Sequence, residues 1–317
     1  MRNNNKKIML LIAVTLLISM LYLFVGIDFE IFEYQFSSRL RKFILIILVG
    51  AAIATSVVIF QAITNNRLLT PSIMGLDAVY LFIKVLPVFL FGIQSVWVTN
   101  VYLNFILTLI TMVLFALILF QGIFKIGHFS IYFILLIGVL LGTFFRSITG
   151  FIQLIMDPES FLAIQSSMFA NFNASNSNLV TFSAVLLVIL LVIIILLLPY
   201  LDVLLLGRAE AINLGISYEK LTRILLVIVS VLVSVSTALV GPITFLGLLT
   251  VNLAHELMKT EHKYILIATI CLSWISLFSA QWVVENVFEA TTEMSILIDL
   301  IGGSYFIYLL VRRRNAQ

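Results

Sequence analysis

The chain has 317 residues, of which 62% are hydrophobic and only 10% charged, with a formal net charge of +3. A soluble domain carries about 25% charged residues and under half apolar ones. A mean hydropathy of +1.20 therefore excludes a water-soluble fold; lipid must be the solvent, and nucleic acid is not an expected partner.

A spanning helix needs about 20 mostly apolar residues. Runs of that kind fall near residues 8–26, 43–63, 78–92, 97–121, 129–148, 179–200, 224–240, 243–258, 264–284 and 295–311. Because they recur along the whole chain, residues 1–317 read as one all-α, polytopic transmembrane domain of ten helices. The third and eighth runs are short and carry polar residues. The first follows MRNNNKK and could pass for a signal peptide. Its length and the lack of an A-x-A site favour a retained span. The single cysteine, Cys271, sits inside an apolar run and reads as core filler.

Ten spans put both termini on one side, and the positive-inside rule selects it. With the ends inside, the inner segments hold Arg2, Lys6, Lys7, Arg67, Lys125, Arg208, Lys220, Arg223, Lys259, Lys263 and Arg312–Arg314. The outer segments hold Asp28, Glu30, Glu33, Asp157, Glu159, Glu285, Glu289 and Glu293. Arg39, Arg41 and Lys42 break the pattern, at the outer end of the second span. Within or beside spans, Asp77, Lys84, Glu256 and Asp299 are too sparse for a proton relay. Lys84 either snorkels or pairs with a carboxylate, and Asp299 faces a cavity or a partner subunit.

Between spans two and three lies NNRLLTPSIMGLDAVY, residues 65–80. Asn65 and Asn66 suit a helix C-terminus. Thr70-Pro71 cannot continue a helix, and Gly75 permits conformations or close packing closed to larger residues. The stretch is too apolar for a plain loop, so it reads as a re-entrant connector near the inner mouth of a pathway. Gly138 and Gly142 form a G-x-x-x-G in span five, which lets helix backbones approach. Two hydrophilic segments remain. An outer one covers about 149–178. An inner one, about 201–223, alternates apolar and charged residues at helical spacing and breaks at Gly215, as one or two amphipathic helices under the membrane would.

No Walker A is present: Gly122-IFKI-Gly127 is followed by His128-Phe129 and lacks the Lys and Ser/Thr. No Ser-His-Asp or H-E-x-x-H pattern and no metal-ligand spacing occurs, so neither a catalytic residue, a metal site nor a cofactor is expected. The three His, at 128, 255 and 262, read as interfacial polar residues. A self-sufficient secondary transporter, the alternative function, would show repeat symmetry and buried ionisable residues near the midplane. No clear repeat is visible.

Four blocks, in order, resemble the bacterial iron-siderophore and cobalamin importer permeases. Arg39-LR-Lys42 followed by LVGAAIATSVVIFQAITNNRLLTPSIMG resembles the family's R-x-P-R, LVGAAL-like helix, Gln and N-P-L-A-x-P-x-x-L-G, through Gly50, Gln61, Asn66, Leu68, Pro71 and Gly75. LLLGRAEAINLGIS resembles its coupling loop through Gly207, Ala211, Leu214 and Gly215. VGPITFLGLL resembles G-x-I-x-F-x-G-L, and IGGSYFIYLLVRRR its last helix. Departures occur at Arg41 and Lys42, at Arg67 in the N-P-L position, and at Val251-Asn252-Leu-Ala-His255 where P-H-x-x-R is usual. This combination looks like the second permease subunit of catecholate, petrobactin or anguibactin-like ferric-siderophore systems.

The resemblance implies a ten-helix permease forming half of the pathway of an ATP-binding-cassette importer in a bacterial cell membrane. It implies a second permease subunit, expected to differ from this chain, together with two cytoplasmic ATP-binding subunits and an extracytoplasmic siderophore-binding protein. Gly207, Arg208, Glu210, Ala211, Leu214 and Gly215 would meet the ATPase. Arg39 and Lys42 would meet carboxylates of the binding protein. Asn65, Asn66, Pro71 and Gly75 would form the connector, and Gly138 and Gly142 would pack helices or line the pathway.

Overall fold

The computed structural model describes residues 2–26, 32–125, 131–173, 176–258, 261–289 and 292–314. Asp28, Glu30, Lys259 and His128 lie outside the described residues. The helices are α1 (Arg2–Phe24), α2 (Phe32–Thr64), α3 (Leu76–Phe91), α4 (Val96–Thr99), α5 (Val101–Lys125), α6 (Ile131–Ile155), α7 (Pro158–Gln165), α8 (Ser177–Leu204), α9 (Arg208–Asn213), α10 (Tyr218–Val240), α11 (Leu246–Leu257), α12 (His262–Asn286) and α13 (Met294–Arg314). Among the described residues there is no strand.

Among the described residues, seven helices are long and apolar enough to cross a membrane: α1, α2, α5, α6, α8, α10 and α12. The other three expected spans fall on α3, α11 and α13. With 16 residues in α3 and 12 in α11, at about 1.5 Å per residue, neither spans a hydrocarbon core of about 30 Å alone. The chain is an all-α, multi-pass membrane protein in which some apolar segments are half-length helices joined to non-helical backbone.

Three segments differ from the expectation. The fourth span is split at Asn100, whose side-chain oxygen accepts from the Tyr102 and Leu103 amides at 3.0 and 3.2 Å and so starts a new helix, α5. The outer hydrophilic segment 149–178 is largely helical. Residues 149–155 continue α6, and α7 follows, capped by Asp157, which accepts from the Ser160 amide at 2.8 Å. The inner segment 201–223 takes in the end of α8 and the start of α10. Only the six residues of α9 form a separate helix. Helix α8 passes Pro199 and runs on to Leu204, because Leu201 and Leu204 are buried and hold that turn.

The core is centred on α2. Of its apolar window 83% is buried, against 17% for α1 and 22% for each of α5, α6 and α8. Small residues explain this, since Gly50, Ala51, Ala52 and Ala54 let neighbouring helices come close. A β-carbon on Gly50 would sit 2.8 Å from Cδ1 of Trp274. Ser273 Oγ and Trp274 Nε1 donate to the carbonyls of Gly50 and Ile47 at 3.1 and 2.9 Å. Helix α1 packs on α12, with the rings of Tyr22 and Phe278 5.5 Å apart. Its other face, including Met9 and Leu10, is bare.

The ends of the bundle are named by the expected sidedness. The end where Lys7 Nζ donates to the Leu257 carbonyl is the inner end. The end where Tyr22 OH donates to Glu285 is the outer end.

Candidate functional site

The connector between α2 and α3 is built by local chemistry. Asn65 takes a left-handed φ of 48° just after α2. Asn66 Oδ1 accepts from the Leu68 amide at 3.0 Å, a turn made within the segment. Thr70 is extended, and Pro71 then occupies the first position of a 3-10 turn, Pro71–Met74. Gly75 closes that turn at φ 83° and opens α3. The Arg67 carbonyl accepts from Gln61 Nε2 at 2.7 Å and Asn252 Nδ2 at 3.1 Å, so α2 and α11 both hold the connector. Arg67 itself is exposed.

The connector reaches the glycine pair of α6. A β-carbon on Gly138 would lie 3.0 Å from the Cα of Met74, and one on Gly142 would lie 2.8 Å from the Cα of Gly75. Two motifs far apart in the chain, Pro71–Gly75 and Gly138–Gly142, are thus one contact. Gly142 lies near the middle of α6, so the connector penetrates well into the bundle. Non-helical backbone survives at such depth only when protein or a water-filled cavity covers it.

A second break lies opposite. Helix α10 ends at Gly241, φ 101°, whose β-carbon would sit 2.7 Å from the Phe169 carbonyl oxygen. The Asn171 amide donates to the Val240 carbonyl at 2.7 Å, and the Ala170 amide to Ser295 Oγ at 3.1 Å. The stretch after α7 therefore folds into the bundle. Beyond the break, Thr244 Oγ1 donates to Asp77 Oδ2 at 3.2 Å, and the Phe245 amide donates to Asp299 Oδ1 at 3.2 Å. Both carboxylates meet the N-terminal turn of α11, where unpaired amides favour negative charge. They serve the α3–α11–α13 junction.

At the inner end α9 presents Arg208, Ala209, Glu210, Ile212, Asn213 and Leu214 to solvent. Ile212 is 52% and Leu214 61% exposed. Arg208 pairs with Glu219 at 2.7 Å, with both side chains about two-thirds exposed; such a pair contributes little. Ala211 requires a correction. It is fully buried, so it faces the α9 socket and cannot touch a docking partner. Helix α9 is too short to bury its own stripe, and Ala211 is the side chain that seats it. Gly207 and Gly215 bound the helix.

At the outer end Arg39 and Lys42 are committed within the chain. The Arg39 guanidinium donates to the carbonyls of Tyr22, Val25 and Gly26, at 3.2, 2.6 and 3.1 Å. It thus closes the C-terminus of α1, where cations are favoured. Lys42 pairs with Glu285 at 2.6 Å, both only 15–17% exposed.

Sequence reasoning missed several residues. Asn252 was read only as a departure from a pattern, yet it bonds the connector. His262, read only as an interfacial polar residue, is 3% exposed at the start of α12, with its Nδ1 2.7 Å from Asp202 Oδ1. Arg146 carries a sequence signal of its own, a charge inside an apolar run. It is exposed on α6 beside Thr143 and Ser147. Among the described residues no group of three His, Cys, Asp or Glu side chains is placed to hold a metal ion.

Comparison with known proteins closes the description. The FecCD transport family matches residues 11–312. The petrobactin import system permease protein YclO of Bacillus subtilis is 44% identical over 314 residues, covering 99% of each chain. The petrobactin import system permease protein FatC of Bacillus anthracis is 30% identical, covering 92% of this chain and 82% of its own. A solved inward-facing metal-chelate type ABC transporter superposes with a TM-score of 0.79 over 97% of this chain and 99% of its own, at 24% identity.

Proposed function

Because the chain belongs to the FecCD transport family, we propose that it is one permease subunit of an ATP-binding-cassette importer for a ferric siderophore of the petrobactin class, in a bacterial cell membrane. In this reading the whole chain is one permease domain of ten membrane segments with both termini cytoplasmic. It forms half of a translocation pathway with a second, different permease. ATP is hydrolysed on two separate subunits beneath, and a binding protein delivers cargo from outside.

The observation that carries the half-pathway reading is the exposed face of α6. Arg146 stands there among Thr143 and Ser147, within a helix long and apolar enough to span. A charge in a spanning segment is too costly to leave in hydrocarbon and faces protein or a water-filled cavity. That face suits a second permease across a polar path. The glycine contact behind it, Gly142 on Gly75, supports a rigid wall. At the inner end, the exposed Ile212 and Leu214 of α9 suit a groove on the ATPase, with Arg208 and Glu210 at its rim. Arg39 and Lys42 mark the outer surface on which the binding protein would sit. Their internal bonds favour a shaping role there over direct contact.

The test is uptake of iron-59 as ferric petrobactin, with other ferric siderophores alongside, in a strain lacking this chain. Complementation restoring petrobactin-dependent uptake is the expected result. Restoration by an unrelated solute only would overturn the substrate class. Uptake that persists with a hydrolysis-dead ATPase subunit but collapses with a protonophore would make the chain a secondary transporter.

A further inference from the structure

We propose that Lys84 is the anchor of a binding site for an oxyanion, a phosphate or carboxylate carried by an amphiphilic or small solute, in the outer half of the bundle. The site is a partly open cavity of about 260 Å³ lined by α3, α4, α5, α7, α8 and the end of α10. Its polar side is Lys84, Asn104, Asn176 and Ser167, and its other walls include Val88, Phe105 and Leu179.

Lys84 lies on α3 and is half-buried. Its ammonium donates to Asn104 Oδ1 and lies 5.3 Å from the centre of the Tyr80 ring. Both neighbours are neutral. Among the described residues no carboxylate forms an ion pair with it; the pairs present are Lys42–Glu285, Arg208–Glu219 and Asp202–His262. On its own helix, Asp77 is two turns away, about 10 Å along the axis, and is engaged by Thr244. A desolvated cation without a counter-charge costs several kcal/mol, and an ionisable group inside a membrane protein is retained for function more often than for packing.

The surroundings are ordered to keep the ammonium in place rather than to neutralise it. Tyr80 is itself fixed, its OH donating to the Ser167 carbonyl at 3.0 Å. The Asn104 amide nitrogen donates to the Trp97 carbonyl at 3.4 Å, which turns its oxygen to Lys84. Asn176 Oδ1 is taken by the Asn178 amide, at 3.0 Å, which leaves the Asn176 NH₂ as a donor on the cavity wall. An ammonium and a second amide donor above apolar walls match an oxyanion attached to an apolar body. A volume of this size fits a headgroup or small acid rather than a ferric chelate.

The experiment uses the full chain in nanodiscs and the rate at which an acylating reagent modifies Lys84, normalised to exposed Lys220. The probes are phosphatidylglycerol in a phosphatidylcholine disc, and separately sodium phosphate or citrate with phosphatidylcholine only. Protection of about tenfold by an occupant, the size of a charge-assisted hydrogen bond lost or gained, is expected from at least one probe. Protection by phosphatidylglycerol alone assigns the site to a lipid headgroup, and protection by phosphate or citrate assigns it to a free solute. Absence of protection by every probe overturns the site. As a second arm, native mass spectrometry or equilibrium binding should show the effective probe held about tenfold more weakly by Lys84→Gln and retained by Lys84→Arg. Equal binding by wild type and Lys84→Gln also overturns it. The first arm needs only the wild-type chain, so a variant that fails to fold leaves the test intact.

Discussion

Gly75 and Gly142 touch backbone to backbone: a β-carbon added to Gly75 would stand 2.7 Å from the Cα of Gly142. The contact joins the non-helical connector to the centre of α6. It explains why the connector can lie deep in the bundle and still be covered.

Replacing either glycine should therefore be damaging in different degrees. Gly142→Ala forces backbone apart and is expected to cost about 1–3 kcal/mol, the range for overpacking. Gly75→Ala adds a left-handed φ penalty of about 1–2 kcal/mol. Gly150→Ala, on the same helix with open space around it, should be neutral. Thermal unfolding of the purified chain in detergent checks all three. Equal stability of Gly142→Ala and Gly150→Ala would contradict the close contact.

The inner helix should separate seating from docking. Ala211→Leu should destabilise the α9 segment by about 1–3 kcal/mol through overpacking, visible as faster amide exchange over 207–216. Ile212→Asp with Leu214→Asp should leave folding unchanged and abolish the stimulation of ATP hydrolysis by cargo-loaded binding protein. Breaking the exposed Arg208–Glu219 pair should move stability by less than about 1 kcal/mol.

Lys42 and Glu285 form a partly buried pair, and Glu285 also accepts from Gln281 Nε2 at 2.8 Å and Tyr22 OH at 3.4 Å. Glu285→Gln should cost about 1.5–3 kcal/mol, the worth of hydrogen bonds to a charged group. The double exchange of Lys42→Glu with Glu285→Lys should recover part of that loss. A double-mutant cycle with no coupling would show that the pair contributes nothing.

The cap of α7 should respond to acid. The hydrogen bond donated by the Ser160 backbone amide holds the Asp157 carboxyl below its ordinary range. A carboxylate depressed on folding stabilises its helix above the unfolded value and loses that contribution as pH falls through the folded one. Protection factors over 158–165, taken relative to the intrinsic exchange rate at each pH, should fall as pH drops below the ordinary carboxylate range. Asp157→Asn, which keeps an N-cap oxygen, should flatten the dependence.

Arg146 offers a test of the pathway face. Arg146→Gln should leave thermal stability within about 0.5 kcal/mol, as for an exposed surface position, while lowering uptake of ferric petrobactin. Unchanged uptake would argue that this face of α6 lies away from the cargo.

Much of this fold was readable from local chemistry. The long apolar runs locate the spanning helices, Asn65 and Thr70-Pro71 mark the break after α2, and Pro158 behind Asp157 is a helix-start signal inside the hydrophilic segment 149–178. What could not be read was which interruptions meet. TPSIMG and GVLLG are each visible as motifs, but nothing in spacing says that Gly75 lies on Gly142. The engagement of Arg39 and Lys42 is similar: an outer cluster of positive charge looks available until Tyr22, Val25, Gly26 and Glu285 are brought beside it. Ala211 was misjudged because a six-residue helix has no period long enough to reveal its buried side.

The packing of α1 on α12 bears on how the chain is made. Glu285, 263 residues beyond Tyr22, and Phe278 are synthesised long after α1. Until then α1 must stand with the face that meets α12 against lipid. Its mean hydropathy of 2.3 over the apolar window, with only 17% of that window buried even in the finished fold, equips it to wait. Arg39, closing the end of α1 from the very next helix, gives it one early partner. A chain truncated after α11 should therefore insert α1 normally and hold it only through α2, readable as faster labelling of Tyr22→Cys by a membrane-permeant thiol reagent than in the full chain, where that position is buried.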